Sequence, residues 1–100
     1  MGDAPPATVR VFGTLCEFQR KRGLASETLE TIPAEGISAS ELAVRMGLPV
    51  DRIEGAFCNH TIYGLAHVVH AGDEVAFVPY GTPGPHRYML GLYRAGREER

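Results

Sequence analysis

One short helix between strand-patterned flanks constrains this chain more than any other feature. Residues 38–47 open with Ser38, whose hydroxyl can accept from a free amide of the first helical turn. Glu41 stands three residues on, the spacing of a capping box. Ile37 just before the cap and Leu42 inside it can close a hydrophobic staple. Ala39, Leu42, Ala43 and Met46 follow the i, i+3, i+4, i+7 rule and make one narrow apolar stripe. Gly47 supplies the stop, and Pro49 prevents continuation. A helix with a single narrow stripe of mostly small residues suits a place across one face of one sheet.

The flanks supply that sheet. Residues 8–12 alternate and are β-branched, which predicts a strand with Val9 and Val11 on one face. Residues 15–23 carry Leu15 and Phe18 at helical spacing and predict a short helical turn closed by Gly23. Residues 26–32 read as a second strand, followed by turn chemistry at Glu35-Gly36. After the helix, residues 50–54 form a connector and residues 56–58 a short strand. Asn59-His60-Thr61 is a turn, because Asn tolerates left-handed backbone angles. Ile62, Leu65, Val68 and Val69 are apolar anchors in a loop or short strand. Ala71-Gly72-Asp73 turns into residues 74–78, a strand with Val75 and Phe77 on one face and Glu74, Ala76 and Val78 on the other. Pro79 ends it, having no amide hydrogen to give.

The order is strand, strand, helix, strand, short strand, strand. Crossover rules favour a last strand parallel to the first. This predicts an α+β, β-grasp (ubiquitin-like) domain over residues 8–84: a mixed sheet with one main helix packed across it. Residues 1–7 are expected to form a frayed N-terminus, and residues 85–100 a C-terminal extension with an extra strand of its own.

Bulk properties narrow the function. One hundred residues hold one modest core. The 44% hydrophobic and 22% charged content is an ordinary globular balance. A net charge of -2 without a basic stripe gives no reason to expect nucleic acid. The run Arg20-Lys21-Arg22 reads as a solvated face. No apolar run is long enough to cross a bilayer, and the first residues lack the regions of a signal peptide, so a cytoplasmic location is expected. Two cysteines are too few for a disulfide scaffold. Cys58, beside Ala56 and Phe57, reads as a small buried hydrophobe, with a nucleophile as the alternative.

Residues 59–84 also carry a resemblance. Cys58-Asn59-His60, Leu65, Gly72-Asp73-Glu74-Val75, Phe77 and Pro79 fall in the order and spacing typical of the MoaD/ThiS family of small sulfur carriers. Val9-Arg10-Val11-Phe12-Gly13-Thr14-Leu15 resembles that family's opening strand, and the capped helix its central helix. The resemblance implies a protein substrate rather than an enzyme, with no cofactor of its own. Its partners would be an adenylating, ubiquitin-activating-like enzyme and the large subunit of a synthase for molybdopterin, tungsten-pterin or thiamine. In that family a terminal Gly-Gly threads into the partner, and its carboxylate becomes a thiocarboxylate that donates sulfur. A tail without side chains fits a narrow tunnel.

The two glycines would fall at Pro83 and Gly84, so one is replaced, and the chain continues from Pro85 to Arg100. The carrier terminus is therefore expected at Gly84 after processing, across a Gly–Pro bond that ordinary proteases handle poorly. In the extension, Tyr88, Leu90 and Leu92 alternate with Met89, Gly91 and Tyr93. Such a strand can cover an edge of its own sheet or bind a partner, a second copy included, by strand addition. Phe77, Pro79, Tyr80, Tyr88, Leu90 and Leu92 are accordingly the candidate partner-binding residues. The alternative to a carrier is a non-covalent β-grasp interaction module that has lost the carrier tail. Of the four histidines, His67 and His70 are three apart with Asp73 nearby, but no ligand set at recognised metal spacing is completed, and exposed loop histidines are expected.

Overall fold

The computed structural model describes residues 4–81. Five strands form the main sheet, in the order β2-β1-β7-β4-β5: β1 (Ala7–Val11), β2 (Glu27–Glu30), β4 (Ile53–Cys58), β5 (Thr61–Tyr63) and β7 (Glu74–Pro79). β3 (Ile37–Ser38) and β6 (Val68–Val69) make a separate antiparallel pair. Two helices, α1 (Thr14–Lys21) and α2 (Ala39–Arg45), and a 3-10 turn at Val50–Arg52 complete the described elements. β1 and β7 are parallel and adjacent, with Val9 opposite Val75 and Val11 opposite Phe77. Every other pairing is antiparallel. A central parallel pair made by the first and last described strands, with helix and hairpins between them, is the β-grasp arrangement expected from the sequence.

Period-two alternation decides which side of the sheet is dry. Val9, Val11, Val75, Phe77 and Ala56 turn to one side and meet Leu42, Ala43 and Ala39 of α2, Leu15 of α1, and Ile37 and Val69 of the small pair. Met46 packs against this core half-buried. The second helix is capped as its spacing requires: the Glu41 amide donates to Ser38 Oγ at 3.1 Å, and that hydroxyl lies 3.2 Å from Glu41 Oε1. Ile37 and Leu42, the expected staple, are both buried. Gly36, at φ 90, must be glycine for a further reason: a Cβ there would stand 2.6 Å from Val68 Cγ1, so the small strand pair closes directly over it.

Several local expectations are corrected. The segment after β1 is a full helix of eight residues, not one turn. No side chain caps its start, so its sequence carries no entry signal. Gln19 on this helix is buried and accepts from Arg22 Nη1 at 3.1 Å. Arg22 is more than a solvated charge. It also donates to the carbonyls of Gly47 (3.0 Å) and Met46 (3.3 Å) and stands over the Phe18 ring at 5.1 Å, pinning α1 to the end of α2. β4 begins at Ile53, earlier than expected, because a bulge between Ile53 and Gly55 shifts the alternation that would have revealed it. Pairing does not stop at Pro79: Pro79 lies opposite Ile53, and the Tyr80 amide donates to the Arg52 carbonyl at 2.9 Å.

Candidate functional site

Three regions bear on function: the start of β7, its end, and the sheet face turned away from the helices. At the start, Asp73 collects three donors. Its Oδ2 accepts from the His70 amide at 2.8 Å and from Cys58 Sγ at 3.4 Å, and its Oδ1 from Asn59 Nδ2 at 3.0 Å. Asn59 in turn accepts from the Glu74 amide at 2.9 Å, while its own amide donates to the Glu74 carbonyl at 2.8 Å. Asn59 and His60 both have positive φ, 52 and 74, and form the two-residue turn between β4 and β5. These bonds tie that hairpin to the start of β7.

The electrostatics follow from this geometry. Partial burial alone would raise the Asp73 carboxyl. The bonds from His70, Asn59 and Cys58 and the neighbouring His70 outweigh it, so the group sits below its usual range. Burial, then the hydrogen bond to Asp73, then its negative charge push the Cys58 thiol up to about 12. A buried thiol of that pKa carries almost no thiolate at neutral pH, so Cys58 is a core residue and not a nucleophile. His67 stacks on Tyr63 with ring centroids 3.7 Å apart, and His60 Nε2 lies 3.6 Å from Glu74 Oε1 on the surface. Among the described residues no three His, Cys, Asp or Glu side chains gather where a metal could be held. His86 lies outside the described residues.

At the other end of β7, about 20 Å along the strand, the chain leaves the sheet. Phe77 is 0% exposed and Pro79 is buried, both on the helix side, so neither presents a side chain to a partner. Tyr80 is 58% exposed and stands at the exit, and Gly81 at φ 95 turns the backbone. Gly84, Tyr88, Leu90 and Leu92 lie outside the described residues. The exposed face of the sheet carries a groove of about 280 Å³ that sequence reasoning missed. Thr8, Arg10 and Phe12 line one side of it and Phe57 of β4 the other, with Glu74 and Ala76 of β7 between them as its floor. Arg10 is held by Glu27 across β1 and β2 at 2.9 Å. Phe12 was legible as the outward residue of an alternating strand, but its sharing a groove with Phe57, forty-five positions on, was not.

The chain superposes on the crystal structure of SAMP1 from Haloferax volcanii with a TM-score of 0.55 and 17% sequence identity, over 78% of this chain and 98% of that one. The fold is a ubiquitin-like β-grasp. At that identity the likeness establishes the fold alone. No family model and no curated protein matches the sequence. Among the described residues no helix is long and apolar enough to cross a membrane.

Proposed function

We propose that this protein is a ubiquitin-like carrier, handled by partner proteins at its C-terminal side and not catalytic itself. The finer reading is a sulfur carrier of the MoaD/ThiS kind, in molybdopterin, tungsten-pterin or thiamine synthesis, with Gly84 as the carboxylate that is activated. The observation that carries the reading is the position of the exit. The central strand β7 ends beside an exposed Tyr80, and Gly84 stands five positions beyond Pro79 in the sequence. A carrier tail leaving a rigid sheet at that point can enter an enzyme while the domain docks outside it. The chemistry needs a free carboxylate. The carboxylate attacks the α-phosphorus of ATP and releases pyrophosphate. A sulfide supplied by a donor then attacks the acyl carbon and displaces AMP, leaving the thiocarboxylate; a persulfide donor would instead give an acyl disulfide, which a thiol must cleave to release the thiocarboxylate.

Cys58 brings no nucleophile to this scheme, since its buried thiol is bonded to Asp73 at the far end of β7. The test is pyrophosphate release with the host's adenylating enzyme and ATP. A chain ending at Gly84 should support release and the chain ending at Arg100 should not. Equal inactivity of both would favour the second reading, a non-covalent interaction module, for which the groove beside Phe12 and Phe57 supplies a surface.

A further inference from the structure

Strand β2 forms one margin of the main sheet. Along an antiparallel pair the backbone groups point alternately toward the neighbouring strand and away from it, and two bonds fix that phase here. The Val11 amide donates to the Ser26 carbonyl at 3.0 Å, in the register of the β1–β2 pair, so Thr28 and Glu30 also turn their hydrogen-bonding groups toward β1. The Thr8 amide donates the other way, to the Asp73 carbonyl at 2.9 Å. Thr8 lies opposite Leu29 and Arg10 opposite Glu27, so the N–H and C=O groups of Leu29 and Glu27 point out of the sheet. Among the described residues these groups have no partner. Thr31 comes next, but its carbonyl already accepts from Arg45 Nη2 at 3.3 Å. The Leu29 side chain is 66% exposed, more than any other large apolar residue described. The edge is therefore open in its backbone and apolar beside it.

We propose that a second copy of this chain pairs with this edge, β2 antiparallel to β2 about a two-fold axis at Thr28. The argument is self-complementarity, which a two-fold contact demands. Glu27 of each copy meets Leu29 of the other, and both exchange N–H and C=O bonds, so every open group of the edge gains a partner. Thr28 meets Thr28 across the axis, and hydroxyl pairs of that kind are favourable. Ser26 meets Glu30 on the same side. Leu29 meets Glu27, whose carboxylate is already held by Arg10 at 2.9 Å. No like charges stand directly opposite. Other registers are worse. A slide of one residue sets open groups against groups already turned to β1. A slide of two sets Glu27 against Glu27 in one direction and calls on the occupied Thr31 carbonyl in the other. In the favoured register the two exposed leucines become diagonal neighbours on one face, about 7–8 Å apart and within side-chain reach. Unpaired strand edges are templates for such pairing. β2 has only four residues, so the contact is small and the dimer weak and exchanging. β7 stands two strands in from this edge and takes no part. The inference rests on the fold and not on the carrier reading.

Sedimentation equilibrium and amide exchange of the full chain, from about 1 µM to about 1 mM, test the pairing over the range a small interface leaves open. The mass should rise toward that of two chains. The Glu27 and Leu29 amides should exchange fast in dilute protein and slow at least about tenfold as the mass rises, while those of Thr28 and Glu30, bonded to β1, stay slow throughout. In a mixture of differently labelled chains, NMR cross-peaks should join the Thr28 α-proton of one copy to that of the other, since facing residues at such a position have Cα atoms about 4.5 Å apart. Leu29→Pro removes an outward N–H that β1 does not use, a place where an edge strand tolerates proline. The variant should keep the Val9 and Leu42 methyl shifts and associate at least about tenfold more weakly. A single-chain mass throughout overturns the proposal. So does association that leaves the Glu27 and Leu29 amides fast, which places the contact elsewhere. Slow exchange of both in dilute single chains overturns it too, as do cross-peaks in another register. Protection that appears only with a different protein overturns it and makes that protein's strand the occupant. A folded Leu29→Pro variant that associates as tightly as wild type also overturns it. If that variant does not fold, exchange and cross-peaks of the wild type decide alone.

Discussion

At the scale of single residues, Asp73 and Cys58 are a linked pair whose chemistry is structural. Asp73 has a folded pKa below its ordinary value of 3.8, so its contribution is fully present above that pH and is lost as pH falls through the lower, folded value. Asp73→Asn should therefore destabilise the protein at neutral pH, by about 1–2 kcal/mol for weakened charge-assisted bonds. The gap to wild type in denaturant melts should narrow below about pH 3.8; a gap independent of pH would remove this role from Asp73. For Cys58, a thiol raised to about 12 should be alkylated by iodoacetamide at pH 8 far more slowly in the folded protein than in the unfolded one. The difference in thiolate alone is roughly 10³-fold. Comparable rates would mean that the buried thiol is not held as described. The His70–Asp73 bond is local, three residues apart, but the bonds from Cys58 and Asn59 were not legible beforehand, because they reach Asp73 across fifteen and fourteen positions.

At the scale of elements, legibility followed the strength of local signals. α2 was readable because cap, staple, stripe and stop agree within ten residues. Ser38→Ala should cost about 0.5–2 kcal/mol and Ser38→Asp much less, and similar melts for the two would contradict the cap seen at 3.1 Å. Leu42→Ala, at a fully buried position, should cost about 2–5 kcal/mol in a denaturant melt. A cost near zero would contradict its place in the core. β7 was readable from its turn and alternation. Less was visible where the signal is weak or displaced. β3 and β6 are two residues each, too short to show a period. α1 has no capping side chain, and the bulge in β4 puts Ile53 and Ala56 on the same side although they are three apart.

At the scale of the whole molecule, the topology was predictable because the crossover rule leaves few ways to join these elements, and the parallel β1–β7 pair is the outcome it favours. The surface was not, since the groove beside Phe12 and the cluster of Val78 with Ile62 and Phe57 depend on residues brought together only by that topology. The proposed carrier role turns on one bond beyond the sheet, between Gly84 and Pro85. The direct measurement is the intact mass of the protein purified from its native host. The carrier account predicts a species ending at Gly84, part of it heavier by the exchange of one oxygen for sulfur; full-length protein alone would contradict it.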